Sequence, residues 1–246
     1  MSSAPSRFIN GMTQAGKFQP FGELGIPDPF YYAVYEDDFL PYAASNYTVT
    51  ATGGSVAASA AGGAGGRILM TTGAVITNFA SLQQAAASFS AVNGTKLAYL
   101  CRIQMTDVTN SVLTAGLIQT TATPGTITNG IVITKAAAST NIVVSVISAS
   151  TTIATTTISG LLTNGQDIDL GFLMDRSGNI QVHAGNSLVG NKSRQNVATL
   201  GPRGKILATA ITAYPVGLLN PTIAVTAGTG ALQTMYVDFM AAGQER

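Results

Sequence analysis

Catalytic sites are built mostly from histidine, cysteine and clustered carboxylates, and this chain holds one histidine, His183, one cysteine, Cys101, and eleven acids. Nucleophilic triads and most general-base schemes need a histidine. Alternation along residues 179–184 puts His183 on the polar side of a strand beside Gln181, which predicts a solvated side chain rather than a base. No Gly-x-Ser-x-Gly elbow surrounds a serine. One cysteine and one histidine cannot complete a zinc site within a single chain, and a lone cysteine cannot form an internal disulfide. The glycine-rich stretches Gly53-Gly54 and Gly62-Gly63-Ala64-Gly65-Gly66 are not followed by Gly-Lys-Ser or Gly-Lys-Thr and open no helix, so they read as loops rather than phosphate cradles.

The carboxylates leave two further chemistries to weigh. Glycoside hydrolysis uses two acids, roughly 5 to 9.5 Å apart according to mechanism. The acidic cluster is Glu36-Asp37-Asp38; on a strand Glu36 and Asp38 share one face and Asp37 takes the other, so it supplies at most one pair. The Glu-x-Asp-x-x-Glu spacing of sandwich glycosidases is absent. The same cluster, or Asp167 with Asp169, could hold Ca²⁺ through oxygen ligands. Neighbouring acids more often face solvent or meet an arginine such as Arg67 or Arg102. The expectation is therefore no enzyme, no cofactor and no metal.

Composition points the same way. Of 246 residues only 9% are charged, against about 25% in an average globular protein, and 46% are hydrophobic. High apolar content argues against disorder, so the polar surface must be built from Thr, Ser, Asn and Gln. The formal charge of +1, with no Lys or Arg run, lacks the footprint of a nucleic-acid binder. No stretch approaches ~18 consecutive apolar residues and the N-terminus has no basic start followed by an apolar run, so neither membrane spanning nor export is expected, and synthesis is expected in a host cytoplasm. Partners should be proteins or sugars.

The elements that must position these groups read as short strands cut by Gly, Asn and Pro turns. Strands are predicted over residues 30–39, 47–52, 67–72, 96–105, 111–121, 130–135, 142–150, 168–174, 179–184, 206–214, 222–227 and 232–241, with one or two helical turns around Ala85, Ala86 and Ala87 within 79–91. Ile168, Leu170, Phe172 and Met174 alternate with polar or small residues, as do Ile180, Val182 and Ala184, and Asp175-Arg176-Ser177-Gly178-Asn179 has turn chemistry. Pairing Met174 with Ile180 puts both apolar sets on one face. Residues 96–105 place Leu97, Tyr99, Cys101, Ile103 and Met105 on one side and Lys96, Arg102 and Gln104 on the other, so Cys101 reads as a buried small hydrophobe. Residues 136–166 and 206–237 carry no charge, through compositional bias or because a neighbouring chain covers them. Residues 1–29 form a separate extended arm, broken by Pro5, Pro20, Pro27 and Pro29 yet carrying Phe8, Ile9, Phe18, Phe21, Leu24 and Ile26. It either straps its own domain, residues 30–246, or lies across a partner.

Several pieces in order resemble a known family: Tyr35-Glu36-Asp37-Asp38-Phe39, Gly65-Gly66-Arg67-Ile68-Leu69-Met70-Thr71-Thr72, Leu97-Ala98-Tyr99-Leu100-Cys101-Arg102-Ile103, Ala115-Gly116-Leu117, Asn129-Gly130-Ile131, Asp169-Leu170-Gly171-Phe172 and Tyr236-Val237-Asp238-Phe239. Over residues 30–246 they are similar to phage virion proteins with a concanavalin A-like (laminin G-like) jelly-roll sandwich. The resemblance implies an all-β antiparallel jelly roll behind the N-terminal arm. It also implies a virion protein that decorates or cements the head by binding the major capsid protein, as a homo-oligomer for which analogy favours a trimer. The alternative is a tail or fibre module that binds host-surface glycan. The chain has no Trp for sugar stacking, although Tyr31, Tyr32, Tyr42, Tyr47 and Tyr214 could substitute.

Overall fold

The alternation that marks residues 167–186 as a hairpin is realised in the structure, a computed structural model that describes residues 32–40, 42–58, 66–86, 88–92, 94–186 and 201–246. Met174 pairs with Ile180, as expected, and Ile168, Leu170, Phe172 and Met174 all enter the core. The turn is closed by Asp175, whose carboxylate accepts the Asn179 backbone N–H at 2.9 Å and the Asn179 amide at 2.9 Å.

The described residues form fifteen strands: β1 Tyr32–Asp37, β2 Tyr47–Thr52, β3 Ser55–Ala58, β4 Ile68–Thr71, β5 Phe79–Gln84, β6 Leu97–Met105, β7 Ser111–Ile118, β8 Gly130–Lys135, β9 Ile142–Ser148, β10 Thr151–Ile158, β11 Asp167–Met174, β12 Ile180–Asn186, β13 Gly201–Ile206, β14 Asn220–Ala227 and β15 Thr234–Glu245. They build two antiparallel sheets. The first runs β13-β12-β11-β6-β15-β4-β3, with β1 continuing the line of β4 along β15; the second runs β10-β9-β8-β7-β14-β5-β2. Alternate residues of both sheets meet in one core, where Tyr99 of β6 stacks on Phe172 at 5.8 Å. The Tyr99 hydroxyl crosses the layer to donate to the Thr222 carbonyl of β14 at 3.0 Å. This is the all-β jelly-roll sandwich expected from the sequence. Among the described residues no helix is long and apolar enough to cross a membrane.

Four stretches depart from expectation. Phe79–Gln84 is a strand clamped between β2 and β14, and Ala85 and Ala86, where the sequence predicts a helical turn, form a bend just beyond it; Ala87 lies outside the described residues. Residues 206–214 are mostly irregular with a 3-10 turn at Ala208–Ala210, and the strand lies earlier, at Gly201–Ile206. Strands β3 and β10 have Ser, Ala and Thr runs with no hydrophobic alternation to announce them. The arm residues Phe8, Ile9, Phe18, Phe21, Leu24 and Ile26 lie outside the described residues.

Candidate functional site

The residues with the most obvious chemistry prove to be structural. Asp167 and Asp169 project from the outward face of β11, where arginines meet them as the sequence suggested. Arg67 Nη2 lies 2.6 Å from Asp167 and Arg102 Nε 2.6 Å from Asp169, the latter pair made bidentate by Arg102 Nη2 at 3.0 Å. Asp238 joins both, at 3.3 Å from Arg67 Nε and 3.5 Å from Arg102 Nη1. Asp238 faces outward in step with the core residues Met235 and Val237, and a bulge between Val237 and Phe239 brings Phe239 onto the same outer face beside it. Burial alone would lower the Arg102 pKa, but the Asp169 hydrogen bonds and the charges of Asp169, Asp238 and Asp167 raise it. Arg102 also lies 5.3 Å from the Phe239 ring centroid. Each of the network's three carboxylates is thus held by one or both of two fixed cations, which is poor preparation for acid–base catalysis or for holding Ca²⁺.

His183 faces outward on β12 as alternation requires, yet it is 1% exposed rather than solvated. It stands in the row His183, Gly171, Leu100, beside the outward-facing buried cluster Ala98, Leu100, Leu173, Phe239 and Ala241, so this part of the outer face is apolar rather than wet. Cys101 is buried in the core, as expected, and desolvation pushes its thiol up to about 12. The acidic cluster splits as alternation predicts. Asp37 turns in, accepting from the Tyr47 hydroxyl and from Phe39 N at 2.7 Å, while Glu36 is exposed and Asp38 caps Leu40 N at 3.2 Å. Partial desolvation, then the neighbouring Asp38 charge, raises the Glu36 carboxyl above its ordinary range.

Around Asp37 the structure gathers an aromatic box. The Tyr35 and Tyr47 hydroxyls share a hydrogen bond, Tyr42 stacks on Tyr47 at 6.0 Å and 26°, and Phe39 packs on Tyr47 at 6.0 Å. Phe39 adopts φ 55, and Gly66 approaches it so closely that a Cβ there would lie 2.4 Å from the Asp38 carbonyl oxygen. This accounts for a glycine at 66. Beside the box, the edge of the sandwich between β1 and β5 opens into a cleft. One recess of about 570 Å³ is lined by Tyr35, Gln84, Ser88, Phe89 and Gln244 among others, and a second of about 390 Å³ by Tyr35, Ser45, Asn46, Gln84 and Ala86. The Gln84 side-chain Oε1 is buried without a hydrogen-bond partner.

Of the tyrosines picked out as sugar-stacking candidates, Tyr42 and Tyr47 therefore meet here. Tyr214 lies elsewhere, its hydroxyl donating to Gly178 O at 3.2 Å, and Tyr31 is outside the described residues. Tyr32 begins β1. Sequence reasoning missed Tyr35 and Gln84 as site residues; the Tyr47–Gln84 register that joins them is a long-range pairing with no local signal.

No protein-family profile matches the chain, and no curated protein matches it in sequence. Solved structures do. Lectin II from Ulex europaeus superposes with TM-score 0.57 at 12% identity over 87% of this chain and 99% of its own. The fold is that of a lectin-like jelly roll. An endo-1,3-beta-glucanase from Streptomyces sioyaensis matches with TM-score 0.56 at 13% identity over 88% of this chain and 98% of its own. The CBM2 module of the evolved Dit of Lactobacillus casei BL23 phage J-1 matches with TM-score 0.52 at 10% identity over 87% and 96%. The shared jelly roll carries lectins, a glycanase and a phage module alike, so function has to be read from the site.

Proposed function

We propose that this protein is a non-catalytic, lectin-like binding module of a phage particle, which holds a saccharide in the cleft between β1 and β5. The observation that carries this reading is the cleft itself: a concave, weakly charged groove with an aromatic ring, Tyr35, and hydrogen-bonding side chains at Ser45, Asn46 and Gln84. Such a mix of ring and polar groups suits a sugar's apolar faces and hydroxyls. Lectins and a phage carbohydrate-binding-type module among the structural neighbours support the same class. The arginine-paired carboxylates favour binding over hydrolysis. The test is a glycan array probed with the intact protein, followed by the Asn46→Ala variant. Binding that Asn46→Ala weakens supports the reading; an array without signal removes it.

A head-decoration role, through binding to the major capsid protein, is the second reading, and a different surface favours it. Loops 72–78, 106–110, 136–141, 159–166 and 228–233 are tied together at one end of the sandwich by backbone bonds such as Thr72 N to Gln233 O, Gly228 N to Asn110 O and Ala138 N to Thr109 O. Asp107 is their one charged residue. Val75, Ile76 and Leu232 are 62%, 56% and 56% exposed there, an apolar tip suited to a protein surface. Co-sedimentation with filled heads, lost on Ile76→Asp, would favour this reading over the saccharide one.

A further inference from the structure

The two recesses of the cleft are not independent. Both are walled by Tyr35 and Gln84, so they lie side by side with those two side chains between them. Each falls within the roughly 300–1,000 Å³ that small-ligand sites occupy, so each has room for at least one sugar ring. The Tyr35 hydroxyl is engaged with Tyr47, which fixes the ring and leaves its surface as the contact it can offer. Gln84 has a buried, unpartnered acceptor at this divide, a costly arrangement that a hydroxyl donor would relieve after a small turn of the amide. In the second recess the side chains of Ser45 and Asn46 make no hydrogen bond to another described residue, and none of the described residues that line it is charged. Among the described residues lining the first, Arg246 alone is charged.

Resting on the saccharide reading above, we propose that the ligand is an extended chain of neutral hexoses that crosses the Tyr35–Gln84 divide with at least one ring in each recess. The site would then read the interior of a polymer rather than a single terminal sugar. Ala86 and Ser88 are exposed residues on the two opposite recesses, so a bulky side chain at either fills one recess without entering the core.

The experiment is titration calorimetry of the full-length protein with a panel of neutral hexose oligosaccharides of one to six units. The expected result is an affinity that climbs by about tenfold or more between a single hexose and the shortest oligomer that spans both recesses, then levels off. Ala86→Trp should bring the long oligomers down to the single-hexose level while the melting temperature stays unchanged, and Ser88→Trp should do so from the other side. Equal affinity for one and six units, or indifference of the oligomers to Ala86→Trp, overturns the two-recess chain while leaving a single-ring saccharide site standing. Failure of every length to bind overturns both.

Discussion

The two sheets of this sandwich are built from different materials. Strands of the first carry nine charged residues: Glu36, Asp37, Arg102, Asp167, Asp169, Arg203, Lys205, Asp238 and Glu245. Strands of the second carry one, Lys135. On the first sheet's outer face opposite charges are matched at close range, Arg67 and Arg102 against three aspartates. The second sheet covers its outer face with small neutral side chains such as Ser81, Thr114, Ser145 and Ala224, and even these are buried. One face is thus held by specific pairs and the other by hydrogen bonds of modest strength, such as Gln83 Nε2 to Thr222 Oγ1 at 2.7 Å. A charge should therefore be indispensable, harmful or neutral according to the face that receives or loses it.

The sharpest break is a charge placed between the sheets. Phe172 is wholly buried against Tyr99, and Phe172→Asp would leave an unpaired carboxylate there. The expected outcome is loss of the folded state, seen as insoluble protein or loss of a cooperative melt. Next comes removal of a charge from the matched face. Asp238→Ala leaves two guanidinia facing two carboxylates, so no charge is stranded and the loss is that of Asp238's own contacts, about 1–2 kcal/mol. At this length that lowers Tm by roughly 2–8 °C, readable by calorimetry. A shift under 1 °C would mean that the network contributes nothing.

These two sites also show what the sequence could disclose. The face of Phe172 was legible because hydrophobic and polar residues alternate on both sides of a recognisable turn. Pairing of Asp167 and Asp169 with arginines was legible as chemistry, since nearby acids seek cations. Asp238's part in the network was not, because its partner Arg67 lies 171 positions away in sequence and no local pattern joins them. Strand β10 was hidden by a Thr run that alternates weakly, and β5, which leads into the alanines at 85 and 86, takes its identity from β14, distant in sequence. The cleft was the least legible part, since Tyr35, Asn46 and Gln84 come together only when β1 joins the first sheet and β2 and β5 the second. The burial of His183 escaped for a related reason: alternation gives the face but not what the rest of that face is made of.

Lys135, the exception in the second sheet, is fully buried with its ammonium donating to the Ser111 carbonyl. Desolvation lowers its pKa to about 8, against a partial opposing pull from Asp107. Because the folded value lies below the unfolded one of 10.5, the unfolded chain binds the extra proton between those values, and stability rises with pH from about 8 upward. From pH 9 the buried Cys101 thiol opposes this, since it stays protonated to about 12 while the unfolded thiol ionises. Above pH 10 the raised Tyr35, Tyr47 and Tyr99 hydroxyls add to the loss in the same sense. The melting temperature should therefore peak between about pH 9 and 10. Lys135→Met should raise stability by about 1–2 kcal/mol at pH 7 and abolish the rise above pH 8. An unchanged pH profile in that variant would refute the buried-ammonium account.

The smallest expected effect tests why the second sheet is so poor in charge. Its uncharged stretches have two origins. Residues 220–227 form a strand paired on both edges and largely buried, so burial explains them without any partner. Strand β10 differs: it lies at the sheet's edge, and Thr151, Thr152, Thr155 and Thr157 are exposed although charge would be tolerated there. Edge strands are usually guarded by lysine, proline or a bulge, and β10 has only the bulge, between Thr152 and Ala154. Thr155→Lys puts a long cation on the outward face of that edge. If no chain covers it, the ammonium stays hydrated, the aliphatic stem lies over neighbouring threonines, and stability changes by less than about 0.5 kcal/mol. That is the expected outcome, checked by thermal melting and by analytical ultracentrifugation at the same concentration. A loss above about 1 kcal/mol, accompanied by a shift to a smaller species, would instead show that β10 is neutral because another chain lies against it.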